Sequence, residues 1–502
     1  MIKIIPGNET YVKILCDDWG VEQELSDHFT FMAPGYRYMP AFKNKIWDGK
    51  IRLFDSRKKI IYKGLIQEII KFAKNRKYEL EIDVSLKNAL DIPTYEQTKG
   101  FVDKLNLQGK GEKLDIRDYQ YEAIHQAISN ERALLLSPTA SGKSLIIMSV
   151  IRWHILNKRN IMIVVPTTML VEQLFSDFED YSSANGWSVE DNCSVLYSGK
   201  ERVFDKPVVI STWQSLASMM KSDPKNFAAI VERTDAGIWD EAHTYKANIV
   251  LSVMEKFINT KYRLGTTGTI DDAKINALTL TGLMGPIYKV ITTKELMDNG
   301  QVVQLDIKCT LLQYPEHIRK AYKGMTYQEE VAFLVAHEGR NKFISRLAST
   351  VKGNTLVLFN FVDKHGAVLE KMIRDMTDRK VYFIHGGVDV DERERIRNVL
   401  STETDAIVVA NSALMSTGVN IPSIRNIIFA IPSKSTIRIR QSIGRGLRLD
   451  NKNGKTSCTL FDISDDLSYK SFTNTSYKHL EARISIYEKE QFSWSLKKLN
   501  IQ

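Results

Sequence analysis

Short, almost continuous apolar runs recur along this chain, and each one ends in polar or turn-forming residues. After residue 112 the runs are Ala133–Leu136, Ile161–Val165, Val208–Ile210 and Ile238–Trp239. Runs of this kind between helix-length segments are typical of parallel strands covered by helices on both faces. After residue 350 the same rhythm gives Leu356–Phe359, Val381–Ile384, Ile407–Ala410, Ile427–Ala430 and Thr459–Phe461. The sequence therefore predicts an α/β protein with two parallel-sheet domains in tandem.

The two ends of the chain have a different pattern. Short alternating runs at Tyr11–Leu15 and Lys50–Phe54 predict strands, and apolar residues at helical spacing predict one buried helix face. That face comprises Leu65, Ile66, Ile69, Ile70 and Ala73. A similar spacing in the tail predicts a C-terminal helical appendage, with Leu480, Ile484, Ile486, Tyr487 and Phe492. We therefore expect a small α+β domain at 1–95, sheet domains at 96–298 and 299–465, and the appendage at 466–502.

Positive charge is concentrated near the N-terminus. The 502 residues carry a net charge of +9, yet the stretch from Tyr36 to Lys77 alone holds 13 basic and 3 acidic residues. This imbalance favours a surface for a polyanion such as nucleic acid, although a solvated lysine-rich face is the alternative. The candidate DNA contacts are Lys43, Lys45, Lys50 and Arg52. The interleaved Tyr36, Tyr38, Phe42 and Trp47 could stack on bases, but a core role is favoured in so small a domain.

The cysteines and the apolar profile exclude several classes of protein. Cys16, Cys193, Cys309 and Cys458 are scattered, so no clustered metal site or disulfide framework is expected. No apolar run reaches the roughly 18 residues of a membrane span, and the first residues do not resemble a signal peptide. We expect a protein of the reducing cytoplasm, with no membrane partner.

The segment from Ser137 to Ser144 follows a predicted strand and opens a predicted helix, Leu145–Leu156. That context suits a phosphate-binding loop, in which backbone amides face the phosphates. In such a loop Lys143 would neutralise phosphate oxygens and Ser144 would ligate Mg²⁺. The remaining candidate contacts to the nucleotide are Pro138, Thr139, Ala140, Ser141 and Gly142. Ser137 replaces the usual first glycine, and taken alone the segment could be a chance helix start.

Two further segments carry charge that suits nucleotide hydrolysis. Asp240 and Glu241 end a predicted strand, where one carboxylate can hold Mg²⁺ and the next can activate water. Alternatively, they cap a helix. Arg445 and Arg448 lie three residues apart, on one helical face, and could stabilise a transferring phosphoryl group. A basic helix engaged in a salt bridge is the alternative for this pair.

Weaker signals precede these segments, lie between them or belong to them, in a fixed order. Several end a predicted strand or turn, where hydroxyls and free backbone amides suit phosphate contacts. Taken singly, each is more often an ordinary turn or helix cap. They are Arg117, Gln120, Thr167, Trp213, His243, Thr267, Thr269, Asn360, Thr417, Gly418 and Gln441.

The ordered set resembles superfamily 2 helicases over about residues 112–465. The resemblance implies two RecA-like domains, ATP and Mg²⁺ as cofactors, and an active ATPase. It also assigns roles to the weaker signals. Arg117 and Gln120 would bind the adenine side of ATP, Gly418 would lie near the nucleotide, and Gln441 would act with the two arginines. His243, Thr267 and Thr269 would couple hydrolysis to motion, whereas Thr167, Trp213, Asn360 and Thr417 would contact the nucleic-acid backbone.

Three other segments resemble the UvsW family of phage DNA helicases: Tyr36–Asp55, Thr292–Val303 and Thr326–Glu330. That resemblance implies a phage-encoded DNA helicase, working in the host-cell cytoplasm on forks, Holliday junctions and R-loops in recombination, repair and replication. It favours 3′–5′ movement. We expect a monomer. The motor motifs leave open an RNA helicase or a duplex DNA translocase that does not separate strands. A nucleic-acid-binding protein with an inactive ATPase is a further alternative.

Overall fold

The chain divides into two compact units, Met1–Ile291 and Thr292–Gln502, in a computed structural model. The described residues are 1–86, 92–197, 204–244, 248–269, 274–400, 402–412, 423–430, 443–444, 446–447, 449–450 and 454–501. The division falls before the helix Thr293–Asp298, slightly earlier than the predicted boundary after residue 298.

The N-terminal residues form a five-stranded mixed sheet. Its strand order is β5-β6-β2-β1-β7, with β1 and β7 parallel and the other pairs antiparallel. The strands of this region are β1 Ile2–Pro6, β2 Tyr11–Cys16, β3 Thr30–Met32, β4 Lys50–Arg52, β5 Phe54–Asp55, β6 Ile60–Tyr62 and β7 Leu80–Ile82. Its α-helices are Trp19–His28, Pro40–Lys43 and Ile66–Arg76. The last of these buries Ile69 and Ala73 of the predicted apolar face together with Phe72, whereas Ile66 and Ile70 are partly buried.

The first parallel sheet has seven strands in the order β12-β13-β11-β14-β15-β10-β16. They are β10 Arg132–Leu136, β11 Ile161–Val165, β12 Cys193–Leu196, β13 Val208–Thr212, β14 Ala236–Trp239, β15 Tyr262–Thr267 and β16 Ile287–Lys289, preceded by the small ribbon β8 Gln108–Gly109 and β9 Glu112–Lys113. The helices of this region are Tyr95–Lys104, Asp118–Ser129, Lys143–Leu156, Thr168–Ser182, Val189–Asn192, Trp213–Ser222, Pro224–Arg233, Asn248–Lys256 and Lys274–Met284. Buried apolar clusters cover both faces of the sheet, as continuous apolar runs predict.

The N-terminal sheet packs against the first parallel sheet near the beginnings of strands β10 and β15. Arg263 is fully buried there and donates from Nη2 to Thr10 Oγ1, at 2.8 Å. Arg132 donates to the backbone carbonyl of Glu9. Ile275, from the helix Lys274–Met284, joins the apolar core of the N-terminal domain. These contacts form a seam at the amino ends of the strands, the side opposite their carboxyl ends.

The second parallel sheet also has seven strands, in the order β19-β20-β18-β21-β22-β17-β23. They are β17 Gln304–Gln313, β18 Thr355–Phe359, β19 Val381–Ile384, β20 Ile407–Asn411, β21 Asn426–Phe429, β22 Ser457–Asp466 and β23 Ser493–Asn500. The helices are Thr293–Asp298, Glu316–Ala321, Tyr327–Ala336, Glu338–Thr350, Ala367–Arg374, Val390–Leu400 and Thr475–Lys489, with a π-helical turn at Val362–Gly366. All neighbouring strands of this sheet run parallel, which confirms the second predicted α/β domain.

The tail differs from the predicted helical appendage. It contains the expected helix, Thr475–Lys489, but it continues into strand β23, which pairs in parallel with β17 at the edge of the second sheet. The helix is also anchored by charge, since Arg483 donates to both carboxylate oxygens of Asp462 at 2.7 Å. Both side chains are almost completely buried. The tail is thus part of the second unit, to which it contributes one helix and one edge strand.

Two further features of the described residues concern helix length and cysteine chemistry. No helix in the described ranges is long and apolar enough to cross a membrane. All four cysteines are free thiols.

Candidate functional site

Three of the predicted segments meet at the carboxyl edge of the first parallel sheet. The loop beginning at Ser137 follows β10, Asp240 follows β14, and Thr267 ends β15. These three strands are neighbours, with Leu136 opposite Thr267 and Trp239 opposite Gly265. Because ligands of open parallel sheets bind at this edge, the fold supports the predicted grouping of these residues.

The loop preceding the helix Lys143–Leu156 has a left-handed residue at its end. Gly142 has φ of +85°, and a Cβ at this position would lie 2.3 Å from Nε2 of Gln120. A side chain there would therefore be strained and obstructed. The glycine lets the chain turn sharply so that the helix begins at Lys143 with its free amides at the carboxyl edge of the sheet, as a phosphate-binding loop requires.

Ser137 stands where a phosphate-binding loop usually has its first glycine. Its side chain is completely buried, and its hydroxyl forms a hydrogen bond with the hydroxyl of Ser141. Ser141 in turn donates to the carbonyl of Pro138 at 2.7 Å. The backbone amide of Ser137 donates to the carbonyl of Thr267 at 2.8 Å. The extra hydroxyl is thus used inside the loop, and the loop is tied to strand β15.

Lys143 and Glu241 lie side by side. Lys143 Nζ donates to the Ser137 carbonyl at 3.2 Å and lies 3.8 Å from Oε1 of Glu241. Glu241 has φ of +51°, an uncommon conformation for a residue with a side chain. Sparsely populated backbone conformations cluster at functional sites, where surrounding contacts hold them. Here the conformation sets a partly exposed carboxylate next to the lysine ammonium.

The predicted coupling residues are in contact with one another. Nδ1 of His243 lies 2.9 Å from Thr267 Oγ1 and 3.2 Å from Oε2 of Glu241. Thr267 Oγ1 donates to the carbonyl of Thr269 at 2.8 Å. A continuous polar connection therefore runs from Glu241 through His243 to the segment that follows strand β15.

Asp240 and Ser144 provide oxygen donors that fit Mg²⁺, a cation that prefers carboxylate and other oxygen ligands. Asp240 is buried and accepts a hydrogen bond from Thr266 Oγ1 at 2.5 Å. Burial, and secondly the neighbouring Glu241, raise the pKa of Asp240 above its usual range. A divalent cation at this place would stabilise the ionised form. Oγ of Ser144 lies 2.8 Å from the phenolic oxygen of Tyr181, a residue that the sequence analysis did not identify.

Of the two residues predicted to bind the adenine side of ATP, Gln120 contacts the phosphate loop directly and Arg117 contacts Gln120. Gln120 Nε2 donates to the carbonyl of Ser141 at 3.0 Å, and the backbone amide of Arg117 donates to Gln120 Oε1 at 3.0 Å. Tyr119 also donates to the Ser141 carbonyl, at 3.1 Å. Tyr119 lies between the two predicted residues in sequence, and that position was the signal that could have identified it.

Two predicted nucleic-acid contacts occupy neighbouring strand ends on the same edge. Thr167 follows β11 and caps the helix Thr168–Ser182, while Trp213 follows the adjacent β13 and packs partly against the core. Gln214 Nε2 donates to the carbonyl of Pro166 at 3.0 Å, which joins the two segments. The first sheet thus presents both predicted kinds of contact along one edge.

One candidate predicted for the second unit, Asn360, lies among the described residues. Asn360 follows strand β18, where its backbone carbonyl accepts from Nδ2 of Asn411 at 3.1 Å and its side chain accepts from Ser412. The other candidates lie outside the described residues: Thr417, Gly418, Gln441, Arg445 and Arg448.

The basic block of the N-terminal domain is mostly exposed. Lys43, Lys45 and Lys50 are exposed, and within the described ranges none of the three takes part in an ion pair. Arg52 is different because its guanidinium pairs with the carboxylate of Asp48, and this contact lowers the pKa of Asp48 to about 2. Of the four predicted contacts, the three lysines therefore carry the less compensated charge.

The aromatic residues of the block do not all behave as expected. Tyr36 and Phe42 are half-buried and meet edge to face, with ring centroids 4.8 Å apart, and Trp47 Nε1 donates to the carbonyl of Lys50. Tyr38 is 82% exposed, so the expectation of a core role is wrong for this residue. It follows a left-handed turn at Gly35 in a 3-10 helix that buries no residue.

Comparison with protein families gives three matches that follow one another along the chain. Residues 2–83 match the family described as "DNA helicase UvsW, N-terminal". Residues 113–272 match "Type III restriction enzyme, res subunit", and residues 339–450 match "Helicase conserved C-terminal domain".

Individual relatives agree with these matches. The ATP-dependent DNA helicase uvsW of Enterobacteria phage T4 is 31% identical over 517 aligned positions, which span 100% of both chains. The crystal structure of T4 UvsW superposes with a TM-score of 0.52 at 28% identity, over 99% of each chain. The DNA 3′-5′ translocase XPB2 of Sulfurisphaera tokodaii is 23% identical and covers 51% of each chain. With 31% identity over its whole length to the phage helicase, and a UvsW N-terminal domain ahead of two helicase domains, the chain belongs to the UvsW family of ATP-dependent DNA helicases.

Proposed function

We propose that this helicase uses ATP and Mg²⁺ to unwind or branch-migrate branched DNA: replication forks, Holliday junctions and R-loops. Such substrates would give it a part in recombination, repair and replication. The observation that carries the proposal is the edge of the first parallel sheet. There the phosphate loop, the Asp240–Glu241 pair and the segments at Thr167 and Trp213 follow neighbouring strands. The exposed basic block adds a second surface for DNA.

Each residue of the proposed ATP site has a separate task. Lys143 neutralises the β and γ phosphate oxygens, while Ser144 and Asp240 would hold Mg²⁺, which would screen phosphate charge. Glu241, beside Lys143, orients the attacking water and accepts its proton. Arg117 and Gln120 recognise the adenine side, and the backbone from Pro138 to Gly142 cradles the phosphates. The resemblance to superfamily 2 helicases assigns Gly418 a place near the nucleotide, and it assigns Gln441, Arg445 and Arg448 to the transferring phosphoryl group.

Hydrolysis can move DNA only if ATP binds one conformation of the motor more tightly than another. His243, Thr267 and Thr269 connect Glu241 to strand β15, so they are suited to sense the state of the nucleotide. Thr167, Trp213, Asn360 and Thr417 would hold the strand through its backbone. Movement should then be largely independent of base sequence.

We propose 3′–5′ movement by a monomer, a direction supported by the name of the XPB2 relative. An RNA helicase or a non-unwinding duplex translocase is the second candidate. The UvsW N-terminal match and the basic block favour DNA, because neither belongs to the general motor.

A panel of unwinding assays tests the proposal. Forks, four-way junctions, R-loops and simple 3′ and 5′ overhangs would be compared at equal ATP and salt, with Lys143→Ala as the inactive control. We expect the branched substrates to be processed fastest and the 3′ overhang to be favoured over the 5′ overhang. Equal rates on all substrates, or stimulation of ATP turnover by RNA alone, would contradict it.

A further inference from the structure

The hydroxyl of Ser144 has a partner that no part of the proposed mechanism uses. Oγ of Ser144 lies 2.8 Å from Oη of Tyr181, within hydrogen-bond distance. Tyr181 belongs to the last turn of the helix Thr168–Ser182, which packs against the helix that Lys143 begins. The phenol thus reaches the first turn of that helix, next to the phosphate loop.

The direction of this hydrogen bond matters for a metal ligand. A serine hydroxyl has one proton and two lone pairs, and it can bind a cation only through a lone pair. Its proton must then point towards an acceptor. Oη of Tyr181, 2.8 Å away, can be that acceptor.

Tyr181 is held in place independently of Ser144. Its ring packs against the apolar cluster of the first sheet domain. Asn185 ties the helix end to the preceding segment, because its side-chain amide donates to the carbonyl of Leu105 at 2.8 Å. The adjacent Asp180 accepts from the backbone amide of Lys110, also at 2.8 Å. The phenol is therefore presented to the serine by a rigid support.

We propose that Tyr181 is a positioning residue for the magnesium site: its phenolic oxygen accepts the proton of Ser144, so that the serine lone pairs face the cation. The inference rests on the proposed role of Ser144 as a Mg²⁺ ligand. Groups that orient a metal ligand through a hydrogen bond influence metal affinity although they never touch the metal.

The test is Tyr181→Phe, which removes the phenolic oxygen and keeps the ring. Binding of a fluorescent ATP analogue would be titrated with Mg²⁺ and, separately, measured in EDTA. We expect the Mg²⁺ concentration for half-maximal binding to rise roughly tenfold, as for other residues that orient metal ligands. Binding in EDTA should stay at the wild-type level, and the turnover number should recover at high Mg²⁺.

Tyr197→Phe is the matched control. Tyr197 is a half-buried tyrosine of the same domain. Its hydroxyl donates to Glu172, which lies on the same helix as Tyr181. Its removal should leave the Mg²⁺ titration unchanged. A loss of binding in EDTA as well as in Mg²⁺ for Tyr181→Phe would show a purely structural role and overturn the inference.

Ser144→Ala separates this inference from the proposed function. If Ser144→Ala raises the Mg²⁺ requirement and Tyr181→Phe does not, Tyr181 has no positioning role while the metal site stands. If neither variant shifts the titration, the assignment of Ser144 is wrong and the inference falls with it. If both shift it, the double variant should match Ser144→Ala alone, because the phenol acts only through the serine.

Discussion

Glu241 occupies a backbone conformation that few residues with a side chain adopt, with φ of +51°. Its carboxylate lies next to Lys143 and His243, at 3.8 Å and 3.2 Å respectively. Holding a residue in such a conformation costs of the order of 1–3 kcal/mol, which surrounding contacts must offset. The backbone of Glu241 is therefore held in a conformation that lowers local stability, which agrees with the role in hydrolysis proposed for its carboxylate.

Replacing this carboxylate should separate ATP binding from hydrolysis. In Glu241→Gln the side chain keeps its size but can no longer accept a proton, so the turnover number for DNA-stimulated ATP hydrolysis should fall about 10²–10⁴-fold. The affinity for ATP should change little. Steady-state ATPase assays and equilibrium nucleotide binding measure the two effects.

Glu190→Gln, at an exposed position of the same domain, is the control and should behave as wild type. Wild-type turnover in Glu241→Gln would remove Glu241 from the mechanism.

Residue-level prediction from sequence was most specific where charge and order carried the information. Lys143, Asp240 and Glu241 were singled out because each charged group has a fixed place in an ordered set of motifs. Ser137 is a position whose role the sequence did not reveal, because comparison with the motif shows only that the usual glycine is absent. The hydrogen bond from its hydroxyl to Ser141 depends on how the loop closes on itself. Tyr181 was missed because the 37 positions that separate it from Ser144 are bridged only by the packing of two helices.

At the scale of elements, buried parallel strands were the predictable part of the fold. Strand β11 lies wholly in the core, so its continuous apolar run identified it. Strand β23 was missed because it lies at the edge of the second sheet and most of its side chains are exposed. Its residues, Ser-Trp-Ser-Leu-Lys-Lys-Leu-Asn, therefore carry no continuous apolar signal. Edge strands take their stability from one neighbour and often carry lysines that discourage aggregation.

The tail helix should be essential for the stability of the second unit. Arg483 and Asp462 form a buried bidentate pair, so Arg483→Met would leave a carboxylate uncompensated in the core. Breaking such a pair typically costs about 3–5 kcal/mol of unfolding free energy. We expect urea denaturation of the full chain to show this loss.

Lys478→Met, at an exposed position of the same helix, should leave the transition unchanged. A wild-type transition in Arg483→Met would mean that the tail contributes little to the second unit.

For the whole molecule, DNA affinity should depend on the exposed lysines of the N-terminal block. Reversing Lys43, Lys45 and Lys50 to Glu leaves up to three DNA phosphates without a cationic partner. The slope of log affinity against log salt should then flatten by about 0.9 for each phosphate that is no longer neutralised, and affinity should fall. Adding Arg52→Glu should have a smaller further effect, because Asp48 already compensates that charge. Fluorescence anisotropy with forked DNA over a range of salt concentrations measures both quantities.

The control reverses Lys158, Lys221 and Lys225, three exposed lysines of the first sheet domain, and so matches the change in net charge. Equal reductions of affinity in the two triple variants would indicate a nonspecific charge effect and remove the special role of the block.

The seam between the N-terminal domain and the first parallel sheet determines which experiments on this helicase can be interpreted. Arg263 and Arg132 are buried by that contact, and burial lowers the pKa of both. Ile275 of the motor lies in the core of the N-terminal domain. A motor shortened by removal of this domain would expose Ile275 and remove the hydrogen bonds that the two guanidiniums donate to Thr10 and Glu9. Weakened DNA binding in such a truncation would thus have two causes, loss of the basic surface and destabilisation of the first sheet domain. Substitutions of the exposed lysines leave the seam intact and separate the two causes.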